Sequence, residues 1–412
     1  MKSTSPSAQT TESCPAVIIG GELNGLGVCR SLARGGVPIY VLDRKRLNPA
    51  MWSRHAMPVR VSALHGRELL DSLRALQGTL GQRPVLIITD EMALLTISEL
   101  RDELNGLFRF RLPTHETVIM LHNKAQFHEY AVANDFPVPK GVVLRDVADI
   151  PRLQSLRFPV IIKPADKRYF HSGDAPRLVI APDWKKAASF SRKLLESVGE
   201  VIVQERVDGP DNSIYFCLFY RGASGATVMF TGRKLASSPP HVGSTAFCIS
   251  AADVGKNLER ITHSFLERVE YVGLGGIEYK WDAAYSRFVM IEPTVGRTDW
   301  QEEIATLSGI NVPLAGYYHE CELPQPAYRL SDDHIVWQAS RIERMKIRSD
   351  VIPSGAAVVD GYWRRDDPLP ALIHYPRDLV ISAPAIISAW SGRFGQRCGD
   401  RIHRLGRLIR PA

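Results

Sequence analysis

The stretch that most constrains the fold is Gly275 to Arg297, GGIEYKWDAAYSRFVMIEPTVGR. Two apolar-rich runs flank a polar turn at Ala283 to Ser286, the pattern of a β-hairpin. A turn centred on Tyr285 sets Glu278 directly opposite Glu292. Alternation then sends Ile277, Tyr279 and Trp281 to one face, with Val289 and Ile291 beside them, and that apolar face belongs in a core. Glu278 and Glu292 share the other face with Thr294. Like charges directly opposed on a hairpin repel, so something positive must compensate them. A divalent cation such as Mg2+ takes hard oxygen ligands of this kind. The competing reading is a solvated face whose carboxylates pair with Lys280 and Arg297.

The chain begins with a different pattern. In residues 15 to 43, Val17 to Ile19 is a buried strand, Gly20, Gly21, Gly25 and Gly27 make a tight turn, and Leu26 to Ala33 begins a helix. Val37 to Leu42 is a second strand closed by Asp43, which completes a βαβ unit. Three readings stay open here. Asp43 could hold the ribose of a dinucleotide, although the glycines do not fall as G-x-G-x-x-G. The glycines could instead serve only close packing of helix on strand, or line a pocket for an acidic substrate at a helix N-terminus. A helix over His65–Leu76, a strand over Val85–Thr89 and a helix over Glu91–Leu104 continue the alternation, so a doubly wound parallel-sheet domain extends to about Pro113.

Further along, a helix is expected over Thr117–Ala133 with Lys124 at its centre, ahead of Pro137 and Pro139. Phe158–Lys167 reads FPVIIKPADK, an apolar strand ending in Lys163-Pro164. A lysine at the end of a buried strand needs water or an anion, because an uncompensated buried charge is costly. The strand Val201–Gln204 leads into QERVDGPDNSIYF, and the strands Ile214–Tyr220 and Thr227–Thr231 follow. Arg233 and Lys234 then stand at a strand end before SSPP, and a helix is expected over Val254–Val269.

Taken in order, these segments resemble the ATP-grasp superfamily, in its carboxylate-amine ligase branch, over roughly residues 115 to 320. The resemblance implies an α/β architecture: a doubly wound domain followed by a two-lobed ATP-grasp domain. Expected boundaries are a flexible N-terminus at 1–14, the Rossmann-like domain at 15–114, the ATP-grasp domain at 115–325 and a C-terminal extension at 326–412. It implies ATP and Mg2+ as cofactors, with Mn2+ as an alternative metal. Lys124 and Lys163 would reach the phosphates, and Asp166–Arg177, with Ser172-Gly173, matches the loop that closes over the triphosphate. Gln204, Glu205 and Val207 would lie along adenine, and Asp211 would take the ribose hydroxyls. Arg233 and Lys234 match an R-K-x-x-x-x-P-P-x-x-G segment facing the γ-phosphate or an acyl phosphate, and Arg297 matches a phosphate-binding arginine. Glu278 would be the first acidic metal ligand, and Glu292-Pro293-Thr294 stands where the family has Glu-x-Asn, threonine replacing asparagine. The activity implied is amide formation from a small-molecule carboxylate and an amine. The alternatives are a dinucleotide-dependent oxidoreductase built on the first turn, and an ATP-binding protein without ligase activity.

Composition narrows the partners. The formal charge of +7 favours anionic ligands, but no recognition motif supports nucleic acid. The six cysteines have no paired spacing, which argues against a disulfide framework or a zinc site and fits a cytoplasmic setting. The polar first dozen residues lack the apolar core of a secretion signal. No apolar run reaches the roughly 18 residues of a membrane span. At the C-terminus, DRIHRLGRLIRPA forms a basic amphipathic pattern, suited to weak contact with an anionic membrane surface, to docking on its own domain, or to disorder. A homodimer is compatible with the sequence.

Overall fold

The computed structural model of the chain describes residues 14–166, 178–346 and 351–380. It opens with β1 (Ala16–Ile19), α1 (Leu23–Ala33), β2 (Ile39–Asp43), β3 (Met57–Arg60), α2 (Gly66–Leu80), β4 (Val85–Ile88), α3 (Glu91–Glu99) and α4 (Arg101–Leu104). The four strands form a parallel sheet in the order β3-β2-β1-β4. β1 and β4 are buried along their whole length, as expected of strands covered on both faces. The helix expected over Glu91–Leu104 breaks at Leu100, whose backbone leaves the helical region.

The glycine-rich turn is shorter than expected. α1 starts at Leu23, so Gly25 and Gly27 lie inside the helix and only Gly20 and Gly21 form the turn. Gly20 has φ +103°, a conformation L side chains rarely adopt. A Cβ at Gly25 would stand 2.1 Å from the Gly20 carbonyl oxygen, and one at Gly27 would stand 3.1 Å from Glu303 Cβ. Close packing therefore accounts for both helical glycines. Asp43 is buried and caps the same turn: it accepts from Gly21 N at 2.6 Å, Lys45 N at 2.7 Å and Asn48 Nδ2 at 2.7 Å.

Next come α5 (His115–His122), α6 (Lys124–Ala133), β5 (Gly141–Leu144), β6 (Val160–Pro164), β7 (Val179–Ala181), α7 (Trp184–Val198) and β8 (Val201–Glu205). The single helix expected over Thr117–Ala133 is two helices. Asn123 adopts extended backbone between them, and its Oδ1 accepts from Ala125 N and Gln126 N. This is an N-cap that restarts the helix. Lys124 thus stands at the first position of α6, not at the centre of a helix. β5, β8, β6 and β7 form an antiparallel sheet in that order. One face of that sheet, carrying Val142, Leu144, Val160, Ile162, Val201 and Val203, packs on α7 and the 3-10 turn Val147–Ser155.

The third layer is built from β9 (Ile214–Arg221), β10 (Thr227–Ser238), β11 (Ser244–Ser250), α8 (Ala252–Arg268), β12 (Gly273–Asp282), β13 (Arg287–Val295), α9 (Glu303–Leu307), α10 (Val312–Glu320), β14 (Ile335–Gln338), α11 (Arg341–Lys346), β15 (Ala357–Asp360) and α12 (369–380). Its seven strands run β13-β12-β9-β10-β11-β14-β15. β10 is longer than expected, so Arg233 and Lys234 lie inside a strand instead of at its end. β14 and β15, from the C-terminal extension, continue this sheet as a parallel pair. The extension is also locked to α1. Buried Arg30 donates from Nε to Asp367 Oδ2 at 3.0 Å and from Nη1 to the Gly361 carbonyl at 2.7 Å.

In the hairpin, β12 and β13 pair with Glu278 opposite Glu292 and Gly276 opposite Thr294. Beyond Glu278 a bulge shifts the register, so Tyr279 faces Met290 and Trp281 faces Phe288. Met290 and Phe288, not the expected Val289 and Ile291, therefore complete the apolar face with Ile277, Tyr279 and Trp281. Among the described residues no helix is long and apolar enough to cross a membrane. The loop expected over Asp166–Arg177 lies outside the described residues after Asp166, and so does the basic C-terminal tail.

Candidate active site

The antiparallel ladders bring the basic and acidic candidates onto one surface. Glu278, Phe216 and Gly232 are aligned across β12, β9 and β10. Alternation puts Lys234, two residues past Gly232, on their face. A Cβ at Gly232 would stand 2.3 Å from the Phe216 ring, so glycine is what lets that ring lie flat there. The buried Lys234 ammonium then forms an ion pair with Glu278 Oε2. Burial disfavours the charge on Lys234, but Glu278, with Asp299 and Asp211 further off, outweighs it and raises the ammonium pKa. Arg233 points to the opposite face of β10 by the same alternation, which separates it from Lys234 and Glu278.

Glu292 is met by Lys124, with Nζ 3.9 Å from Oε1. Lys124 reaches this point because its backbone N donates to the Ala165 carbonyl at 2.9 Å. That bond docks the start of α6 against the end of β6, two residues beyond Lys163. The repulsion expected between the two glutamates is thus relieved by two lysines, Lys234 from β10 of the same sheet and Lys124 from the start of α6. With Thr294 on the same face, the hairpin presents two carboxylates and a hydroxyl. Among the described residues no group of three or more His, Cys, Asp and Glu side chains forms a ready cage for a metal. This donor set fits Mg2+, which commonly uses one or two carboxylates and completes its shell with water and substrate phosphates.

Lys163 is paired with Ile202 in the β6–β8 ladder, and Gln204 with Ile161, so Lys163 and Gln204 share the face turned away from α7. Gln204 Nε2 lies 3.2 Å from His128 Nδ1 on α6. Burial, assisted by the nearby Lys163 charge and opposed by Glu129, depresses the His128 pKa, so this imidazole is held neutral. At the end of β8, Glu205 turns aside: its Oε1 accepts from Arg157 N at 2.9 Å, and its Oε2 pairs with Arg157 Nε at 3.6 Å. Val207 is buried. Asp211 accepts from Ser237 N at 2.8 Å and His241 N at 3.0 Å. Its carboxylate therefore pins the β10–β11 turn to the segment joining the two sheets.

Arg297 stands apart from the lysine cluster. Its Nη2 is 3.8 Å from Glu91 Oε1 at the start of α3, and Glu91 Oε1 is 3.2 Å from His122 Nε2. The adjoining Thr298 N donates to the Ile88 carbonyl at 3.3 Å, and Thr298 Oγ1 pairs with Asn24 Oδ1 at 2.5 Å. This segment thus caps the carboxyl end of β4 and is tied to the start of α1, which follows β1. Open α/β sheets bind ligands at the carboxyl ends of their strands.

Two site neighbours were not legible as such in the sequence. Lys280 figured only as a counter-ion, but its Nζ donates to the Gly209 carbonyl at 3.2 Å, and burial with the nearby Arg206 depresses its pKa. Glu302 is 1% exposed, its Oε1 has no hydrogen-bond partner, and burial pushes its pKa up to about 8. Asp299, whose backbone N lies 3.4 Å from Glu302 Oε2, is the charge that Glu302 shares with Lys234. Only Lys280's place two residues after Glu278 on the same strand signalled its orientation.

No family model matches the sequence. The chain is 22% identical over 319 residues to the D-aspartate ligase of Enterococcus faecium (strain Aus0004), covering 72% of this chain and 74% of that one. Its fold is similar to that of an N5-carboxyaminoimidazole ribonucleotide synthetase solved as its ADP complex, with a TM-score of 0.60, 16% identity and coverage of 77% and 80% of the two chains. It is also similar to the biotin carboxylase domain of Hydrogenobacter thermophilus 2-oxoglutarate carboxylase, solved with MgADP, ADP and bicarbonate, with a TM-score of 0.61, 12% identity and coverage of 78% and 73%. The chain thus shares the fold of these enzymes, and its lysines and glutamates stand in the order that the ATP-grasp resemblance expects.

Proposed function

We propose that the chain uses ATP and Mg2+ to activate a small-molecule carboxylate as an acyl phosphate and joins it to an amine. The observation that carries this reading is the meeting of Lys124, Lys234, Glu278 and Glu292 on one face, beside the strand end that bears Lys163. Phosphoryl transfer needs positioning and charge neutralisation more than covalent work by the protein. Lys124 and Lys163 would hold the phosphates, and Lys234 would meet charge developing at the transferred group. Gln204 and Val207 would line the adenine, and Asp211 the ribose, while it keeps the β10–β11 turn in place. Glu278, Glu292 and Thr294 would hold Mg2+, which would offset the negative charge of the phosphates during transfer. A carboxylate oxygen attacks the γ-phosphorus and ADP leaves. The amine then attacks the acyl carbon, phosphate leaves, and the amine loses a proton.

Arg297, beside the carboxyl end of β4, is suited to hold an anionic substrate there. The D-aspartate ligase relative makes an amino dicarboxylate the first candidate for the activated carboxylate. Domain boundaries near 15–114, 115–325 and 326–412 follow this division of labour, although β14 and β15 of the last segment complete the catalytic sheet. The oxidoreductase alternative loses support, because both oxygens of Asp43 are already engaged by its own turn. The test is ADP release from Mg-ATP, assayed over a panel of amino acids and small carboxylates with an amine. Release that depends on one carboxylate supports the reading. Binding of a nicotinamide dinucleotide with no ADP release under any pairing overturns it.

A further inference from the structure

At the back of the parallel sheet, remote from the lysine cluster, two cysteines meet. Cys14 precedes β1, and Cys321 directly follows α10. Their thiols are within hydrogen-bonding reach of each other. Tyr317, on the last turn of α10, fixes the approach: its hydroxyl donates to the Cys14 carbonyl at 2.5 Å and also touches the Cys321 thiol. The Cys14 Sγ lies 3.2 Å from the Arg83 carbonyl oxygen. Both thiols are partly exposed, whereas Cys29, Cys217 and Cys248 are buried. A cavity of about 460 Å³ opens beside the end of α10, lined by Arg83, Arg109, His319, Glu320 and Glu322. It brings solvent to the residues on either side of Cys321 and to Arg83, whose carbonyl meets the Cys14 thiol.

The electrostatics distinguish this pair from the other described cysteines. The hydrogen bond from Cys321 and the nearby Arg109 guanidinium bring the Cys14 thiol down to about 7 against the opposing effect of burial. Cys321 moves the other way and keeps its proton, first because it donates to Cys14 and then because it is partly buried. Burial pushes the Tyr317 hydroxyl up, so it stays neutral near neutral pH and adds no charge that would oppose this division. A thiolate beside a cation, with a protonated thiol in contact, is the arrangement of a reactive cysteine and its resolving partner. In Cys29 and Cys217 burial raises the thiol pKa to about 12, so these cysteines are inert by comparison.

We propose that Cys14 and Cys321 form a peroxide-sensitive dithiol that closes to a disulfide, stapling the start of β1 to the end of α10. The Cys14 thiolate attacks one oxygen of hydrogen peroxide, giving Cys14 sulfenic acid and hydroxide. The Cys321 sulfur then displaces the sulfenic oxygen, and its proton leaves with that oxygen as water. Overall, two thiols are oxidised and one peroxide is reduced to two waters. The bond would join the parallel-sheet domain to the helix that follows the Arg297 segment, because α10 packs on α1, β4 and β9.

The test is treatment of the full chain with one equivalent of hydrogen peroxide at pH 7.5. Free thiols are then counted after denaturation, and the cross-linked peptides are mapped by mass spectrometry. The expected result is a fall from six thiols to four, with one bond joining Cys14 to Cys321 and restored by dithiothreitol. Cys321→Ser should instead trap Cys14 as a dimedone-reactive sulfenic acid. In the untreated wild type, Cys14 should react with iodoacetamide at least tenfold faster than Cys29, a measurement independent of any variant's folding. An unchanged thiol count, a bond between other cysteines, or equal alkylation rates at Cys14 and Cys29 would overturn the proposal.

Discussion

Glu302→Gln isolates one buried carboxyl and gives a pH-dependent stability effect of calculable size. Glu302 sits at the start of α9 with 1% of its surface exposed, and burial raises its pKa from 4.5 to about 8. The nearby Asp299 charge adds to the rise, and the Asp299 backbone N opposes it. Between these two pKa values the folded chain holds a proton that the unfolded chain has released. Stability from this group is therefore complete below pH 4.5 and is lost as pH rises towards 8. Each pH unit inside the window corresponds to about 1.4 kcal/mol, so raising pH from 5.5 to 7.5 costs about 2–3 kcal/mol through Glu302 alone. Glutamine has nearly the same shape and does not titrate. Urea unfolding of both proteins at pH 5.5 and 7.5 cancels the contributions of other groups. The wild type should lose about 2–3 kcal/mol more than Glu302→Gln over this interval. Parallel pH dependence in the two proteins would refute a neutral buried Glu302.

Other expectations concern the cleft and the clamp on the extension. Lys163→Ala should weaken Mg-ATP binding at least tenfold in calorimetry while leaving the thermal midpoint unchanged; equal affinity would remove Lys163 from the phosphate site. Thr294→Val should raise the Mg2+ concentration needed for half-maximal turnover, and Thr294→Asn should preserve it; identical Mg2+ curves for wild type and Thr294→Val would exclude the hydroxyl as a ligand. Asp367→Ala leaves the buried Arg30 guanidinium without its 3.0 Å partner, and breaking a buried pair in this way costs about 3–5 kcal/mol. Glu303 at 3.9 Å compensates in part, so a loss near about 3 kcal/mol in urea unfolding is expected, and a loss below about 1 kcal/mol would show that the extension is not held there.

The sequence made most of this arrangement legible through periodicity and charge. Opposed glutamates on an alternating hairpin located Glu278 and Glu292, and a lysine ending an apolar strand located Lys163. The details that escaped are those set by tertiary contact. The break at Asn123 depends on side-chain capping within a continuous run of helix-compatible residues, so the segment reads as one helix with Lys124 at its centre. The bulge beyond Glu278 replaced Ile291 with Met290 on the apolar face, because one inserted residue inverts everything downstream. Gly25 and Gly27 looked like loop residues, since a glycine required for close helix packing has the same one-letter signature as a turn glycine. Arg233 and Lys234 were read as a pair at a strand end; strand continuation through Ser238 separates their faces. The buried state of Glu302 rests on α9 packing against β10, β11 and β14, contacts that no local pattern encodes.

The central claim is that ATP activates a carboxylate at the Glu278–Glu292 face. The most direct measurement supplies the active carboxylate labelled with 18O, together with Mg-ATP and the amine, and analyses the released phosphate by mass spectrometry. Passage through an acyl phosphate transfers one labelled oxygen to each phosphate released, and Glu292→Gln should abolish both turnover and transfer. Phosphate released without the label, or full turnover in Glu292→Gln, would contradict the account.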